Sequence, residues 1–262
     1  MERFLLTDIA KSLCNAIKIQ PPTYATSNID VLDNFVQQKT CGQGVSKIVV
    51  FNPDAIGEWV AQKYKDILQD IWNADLKVPM RSVVPPKTPV CFASIYTGAT
   101  PQQHGIQHYE KKKIELDSFF DALVRANKKG CIVTVANQSM DILFRGRNID
   151  YYALKNDKEV IAQAVELINQ KQYDIICVYN QEYDDIMHRT HPKSLLAKRA
   201  LKHYNENYKL LLQAVQKSYT NEKTLFATIT DHGVHREWYL LGTHGKDIDK
   251  DMNILHFYNI IG

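Results

Sequence analysis

Glycine and proline are scarce, 11 and 9 residues in a chain of 262, which excludes collagen-like and low-complexity architectures. The 5 cysteines are odd in number, widely spaced and free of any C-x-x-C pair, so no disulfide framework is written into the chain and a reducing compartment is expected. Charge of one sign is missing too. The 32 Lys and Arg against 29 Asp and Glu leave a formal +3, too little to bind nucleic acid by bulk charge. No run approaches the ~18–20 apolar residues of a transmembrane helix. The opening patch Phe4-Leu5-Leu6 is too short for a signal-peptide core, so no membrane partner is expected and the protein reads as cytoplasmic. What remains is an ordinary globular composition, 45% apolar and 23% charged.

Short β-branched runs alternate with helical patterns. Lys47 to Asn52 reads as a buried strand stopped by Pro53, followed by a helix over 56–72 with Ile56, Val60, Tyr64, Ile67 and Ile71 on one face. A second strand is predicted over 80–85, closed by Pro85-Pro86. The next helix has Asp117 placed to cap it and Gly130 to end it. Strands are predicted over 131–136, 173–180 and 224–230, with helices over 159–170 and 194–219 between them. Two further helices fall before Pro21-Pro22 and over 28–38, and the tail HFYNIIG reads as a closing strand or a packed end. This rhythm predicts a mostly parallel sheet covered by helices on both faces, an α/β/α sandwich. Without a repeat or a linker, residues 1–262 read as one domain, with the helices of 1–46 packed on its core.

Ligands of open parallel sheets bind beyond the carboxyl ends of the strands, and there this chain collects one kind of chemistry. Asp54 follows the first strand, Asp184 and His188 follow the fourth, Asp231 and His232 end the fifth, and His244 comes thirteen residues after the D-H-G that holds them. Asp and His are the donors expected of zinc or manganese. Asp184 and His188, four apart, share one helical face. Thr88 precedes a helical stretch, where free N–H groups favour an anion, and a bound metal would lower the pKa of its hydroxyl.

These residues sit in segments that resemble the alkaline phosphatase superfamily, most closely its type I phosphodiesterase and nucleotide pyrophosphatase branch. The stretch KTPVCFASIYTGATPQQHGI is similar to that branch's nucleophile segment, Tyr179 through His188 to its Y-x-x-x-x-D-x-x-G-H element, Asp231 to Gly233 to its D-H-G, and His244-Gly245 to its last H-G. The matches run in order from Lys47 to the C-terminus. The resemblance implies a three-layer hydrolase with two divalent metal ions, zinc first and manganese second. One ion would be held by Asp184, His188 and His244, and the other by Asp54, Asp231, His232 and the Thr88 oxygen. Thr88 would be the catalytic nucleophile, passing through a phosphothreonine that water cleaves, on a small phosphate-ester or nucleotide substrate. Three positions depart from the pattern: Cys91 replaces an Asn, Met187 a Gly, and His191 a further Gly. Monoester against diester preference stays open on that account. No segment is long enough for the cap domain of larger relatives.

Each residue has a plainer reading beside it. Asp54 could be a turn residue, Thr88 a helix cap, and Cys91 simple packing. Asp185 should point about 100° away from Asp184. His191 could extend a metal site as H-x-x-H, although His244 already completes one. His104 reads as a hydrogen-bonded structural residue, Arg145 and Arg147 as loop arginines more than phosphate ligands, and His235 has no assignment. The rival enzyme readings are a phosphomonoesterase or a phosphomutase of the same superfamily. The rival from another class is a catalytically silent, metal-bound binding protein. Oligomeric state is not written in the sequence.

Overall fold

The computed structural model describes residues 3–237 and 241–262. Its centre is an eight-stranded sheet made of β1 (Phe4–Leu5), β2 (Lys47–Pro53), β3 (Leu76–Arg81), β4 (Gly130–Val135), β5 (Asp150–Leu154), β6 (Ile175–Asn180), β7 (Thr224–Thr228) and, after the short antiparallel pair β8 (His235–Arg236) and β9 (Gly242–Thr243), β10 (Asn253–Ile261). The spatial order is β1-β3-β10-β7-β2-β6-β4-β5. β10 runs antiparallel to both β3 and β7, and every other adjacent pair is parallel.

Side chains alternate across this sheet and feed a separate apolar cluster on each face. Ile48 and Val50 of β2, Ile175, Cys177 and Tyr179 of β6, and Leu225 and Ala227 of β7 enter one cluster. The helices Ile9–Ile17, Asp30–Lys39, Thr88–Thr97, Phe119–Arg125 and Ser139–Phe144 close it. Val49 and Phe51, Ile176 and Val178, and Phe226 face the other way, under the helices Glu58–Lys63, Asp157–Gln170 and Leu195–Ser218. The expected α/β/α sandwich is therefore the observed fold. The N-terminal helices are part of its core: Leu13, Ile17, Leu32 and Val36 are all buried against the first cluster. Among the described residues no helix is long and apolar enough to cross a membrane.

Local differences have local causes. The helix expected over 56–72 is two pieces, Glu58–Lys63 and Gln69–Trp72, because Asn205 of the long helix accepts the N–H groups of Asp70 and Ile71 and starts the second piece afresh. The strand expected over 80–85 lies earlier, at Leu76–Arg81. It stops where the Ser82 N–H turns to the Met252 carbonyl. Ser118, not Asp117, caps the next helix in a reciprocal box with Asp121, and Asp117 instead pairs with Arg125. That helix ends at Arg125, and Gly130 opens β4. The edge strand β5 carries only a short apolar run and escaped the pattern, and all five of its residues are at least partly exposed.

Candidate active site

Strands β2, β6 and β7 are neighbours and parallel, so their carboxyl ends open on one edge. Asp54 comes directly after β2, where its N–H donates to the Asn180 carbonyl at the end of β6. The chain then enters the helix Glu182–Arg189, which carries Asp184 and His188 one turn apart. Asp231 and His232 follow β7, and His244 follows β9. Thr88 opens the helix Thr88–Thr97, whose residues are all buried, and Pro89 beside it takes a position where a missing N–H costs nothing.

The geometry converges. Thr88 Oγ1 lies 3.2 Å from His232 Nε2. His232 Nε2 is 3.2 Å from Asp231 Oδ2 and 3.6 Å from Asp54 Oδ1. Asp184 Oδ1 is 3.5 Å from His188 Nε2 and 3.6 Å from His244 Nε2. The His232 and His244 rings stack with centroids 3.8 Å apart. Two sets of ligand atoms lie close enough together to hold an ion, Asp184 with His188 and His244, and Asp54 with Asp184 and His232. Asp184 belongs to both, and Asp231 stands beside the second through His232.

Each imidazole is turned by the main chain. His188 Nδ1 donates to the Gly242 carbonyl at 3.2 Å, His232 Nδ1 to that of Gly233 at 3.1 Å, and His244 Nδ1 to that of Pro86 at 2.7 Å. All three therefore present Nε2 as a lone pair to the cluster. The carboxylates are turned likewise: Tyr179 donates its phenol proton to Asp54 Oδ2, and the Ala55 N–H donates to Asp231 Oδ1 at 3.2 Å. That leaves Asp54 Oδ1, Asp184 Oδ1 and Asp231 Oδ2 buried without a hydrogen-bond partner.

Three buried, partnerless carboxylate oxygens facing three imidazole lone pairs form a donor set suited to a divalent cation. Burial, and then the negative charge of Asp231, push Asp54 and Asp184 well above the ordinary carboxylate range. Burial raises Asp231 as well. Burial pushes His232 down to about 3, and burial followed by repulsion from His232 lowers His244. A protein pays such like-charge crowding where a cation is to be bound.

The remaining sequence candidates separate from this centre. Asp185 is exposed and contributes to neither ligand set. His191 Nδ1 accepts the Lys193 N–H and is likewise outside both sets. Cys91 is fully buried with Sγ 3.2 Å from Ser82 Oγ, itself bonded to the Asp231 carbonyl. Met187 is buried in the second apolar cluster, with Sδ against Gly242. His104 bonds Ser94 and the Ile106 N–H, Arg145 pairs with Asp141, and Arg147 with Asp121. Two supporting residues had no assignment from the sequence: Tyr179, visible there only as a motif letter, and Lys87, whose Nζ donates to the His244 carbonyl at 3.1 Å.

An α/β sandwich with a Thr at a buried helix start, facing an Asp/His cluster at the strand ends, is the arrangement that the resemblance to the alkaline phosphatase superfamily implied. The sequence model of the type I phosphodiesterase / nucleotide pyrophosphatase family matches residues 48–121, the stretch that holds Asp54 and Thr88. The resemblance drawn from the motifs is thus met by both family match and fold. Murine ectonucleotide pyrophosphatase / phosphodiesterase 5 superposes with a TM-score of 0.60 at 18% identity, over 72% of this chain and 58% of that one. The human protein of the same name gives 0.63 at 13% identity, over 81% and 87%. Phosphonoacetate hydrolase from Sinorhizobium meliloti 1021 gives 0.56 at 15%, over 73% and 57%. This chain accordingly spans under three fifths of the murine and bacterial structures. No curated protein matches it by sequence.

Proposed function

We propose that this chain is a metal-dependent phosphoric-ester hydrolase of the phosphodiesterase and nucleotide pyrophosphatase type, with Thr88 as its nucleophile. The observation that carries the reading is the Thr88 hydroxyl at a helix start, 3.2 Å from His232 Nε2 and beside the partnerless oxygens of Asp54, Asp184 and Asp231. The family match and the superfamily fold support the same class. One related structure, an inactive variant of the murine protein, was obtained in complex with AMP, which fits a nucleotide or other small phosphate ester as substrate.

Asp184, His188 and His244 would hold one divalent ion, and Asp54, Asp231 and His232 a second, with Asp184 near enough to lend an oxygen to either. Bound zinc, our preferred ion, would draw charge from the phosphoryl oxygens and acidify the Thr88 hydroxyl. The chain's own part is positional. The helix start at Thr88 directs unpaired backbone N–H groups at the incoming phosphoryl group. The Thr88 hydroxyl gives up its proton as its oxygen forms a bond to phosphorus, the ester P–O bond breaks, and the leaving alkoxide takes up a proton in turn. Water then cleaves the phosphothreonine, returning the hydroxyl and releasing phosphate or a phosphate monoester. We read residues 1–262 as one such catalytic unit.

Hydrolysis of p-nitrophenyl phosphate and bis-p-nitrophenyl phosphate tests the proposal, with zinc, with manganese and after chelation. Turnover should require metal, and Thr88→Ala should abolish it while zinc still binds. Equal rates for wild type and Thr88→Ala refute the nucleophile. Faster cleavage of the diester or of the monoester decides between phosphodiesterase and phosphatase. Metal binding without turnover of either ester shifts the reading to a phosphomutase or a silent binding protein.

A further inference from the structure

His235 and Asp251 lie outside every ligand set, yet they form a buried knot behind the site. Asp251 is fully buried in the short helix Asp249–Met252. Its Oδ1 receives the His235 Nδ1 proton at 2.7 Å, and its Oδ2 accepts the Lys246 N–H at 3.0 Å. Its backbone carbonyl accepts the Gly233 N–H at 2.7 Å. Three acceptors of one residue therefore hold position 233, next to His232, position 235 on β8, and position 246, two past His244. Glu237 adds to the knot by taking His235 Nε2 at 3.3 Å and pairing with Lys246.

The packing around it leaves no slack. A Cβ on Gly233 would meet the Lys250 carbonyl oxygen at 2.1 Å, and one on Gly57 would meet Gly233 Cα at 2.9 Å. The adjoining Met252 carbonyl takes the Ser82 N–H, and Ser82 Oγ donates to the Asp231 carbonyl at 2.7 Å. The segment 248–252 thus backs the loops that carry Asp54, Asp231, His232 and His244.

We propose that Asp251 is a positioning residue for metal binding: it locks the His232 and His244 loops at the separation that one ion pair requires. The proposal rests on those loops carrying metal ligands. An apolar substitution at 251 removes two of these three anchors at once, because the Lys246 N–H and the His235 imidazole proton lose a shared acceptor while the Gly233 N–H keeps the backbone carbonyl. An amide restores most of the lock. Its oxygen accepts the Lys246 N–H and its NH2 donates to the other tautomer of His235.

The test is zinc affinity of the full chain, measured at 25 °C by competition with a chromophoric chelator, beside thermal unfolding of the metal-free protein. Asp251→Ala should weaken zinc by about 10- to 100-fold, the range of outer-sphere substitutions, and Asp251→Asn should recover most of that loss. Asp121→Ala breaks the helix-capping box with Ser118, which no ligand loop uses, and should lower stability while leaving zinc affinity unchanged. A folded Asp251→Ala with wild-type zinc affinity overturns the proposal and leaves the metal reading standing. Should Asp251→Ala fail to fold, His235→Ala replaces it, with a smaller loss expected and wild-type affinity counting against the proposal. A wild type that binds no zinc overturns the metal reading and this proposal together.

Discussion

Tyr179→Phe removes one oxygen atom from the most buried part of the site. The ring stays where it is: it packs edge-on against Phe92 with centroids 5.0 Å apart, so the apolar contacts of β6 survive. Asp54 Oδ2, however, loses the phenol proton that holds it, while Oδ1 has no partner to substitute. A hydrogen bond to a charged acceptor contributes about 1.5–3 kcal/mol. If all of it serves to aim Oδ1, zinc binding should weaken by about 10- to 100-fold, since each 1.4 kcal/mol is a factor of ten. Chelator competition measures that constant directly. Steady-state hydrolysis adds a second view, because raising free zinc should restore turnover if the defect is in loading the ion. Unchanged zinc affinity combined with a lower unfolding temperature would refute the reasoning and make the phenol an element of folding only.

Other consequences are as sharply testable. His256 is fully buried, donates Nε2–H to the Thr230 carbonyl at 2.7 Å, and is pushed by burial from 6.5 to about 4. The fold therefore binds fewer protons there than the unfolded chain between those values. The stability this provides is whole above pH 6.5 and is lost progressively as pH falls to about 4. The stability difference between wild type and His256→Gln should shrink by about 3 kcal/mol between pH 7 and 4 in urea titrations, and a pH-independent difference would count against it. Cys91→Ser should leave turnover on both esters unchanged, since Sγ faces Ser82. A selective loss on one ester would give Cys91 a substrate role. In Gly242→Ala the new Cβ would come within 2.4 Å of Met187 Sδ and 2.6 Å of its carbonyl oxygen. Overpacking of that kind costs about 1–3 kcal/mol. It also displaces the carbonyl that turns His188, so both unfolding temperature and zinc affinity should fall.

Those features declared by local pattern were legible before any coordinates. β2, β6 and β7 are continuous apolar runs because both of their faces are covered, and the polar residues following each run had to surface at the same sheet edge. The five residues singled out on that basis, with Thr88 and His244, lie around one cluster. What escaped depends on partners far along the chain. Tyr179 meets Asp54 across 125 positions, and the break after Lys63 depends on Asn205, which lies 135 positions beyond Asp70. β5 was hidden by its exposed edge, and Asp251 by the absence of any motif around it.

The three imidazoles are oriented by carbonyl oxygens of Gly242, Gly233 and Pro86, groups that every amino acid carries. No side-chain exchange at those positions can delete the acceptor. The histidine tautomers thus depend on the path of the backbone and on no partner side chain. Only a change in the course of the main chain can release them. Sequence variation among functional versions of this site should accordingly be narrow at Gly233 and Gly242, where a Cβ has no room and would shift the carbonyl, and insertions or deletions there should be disabling.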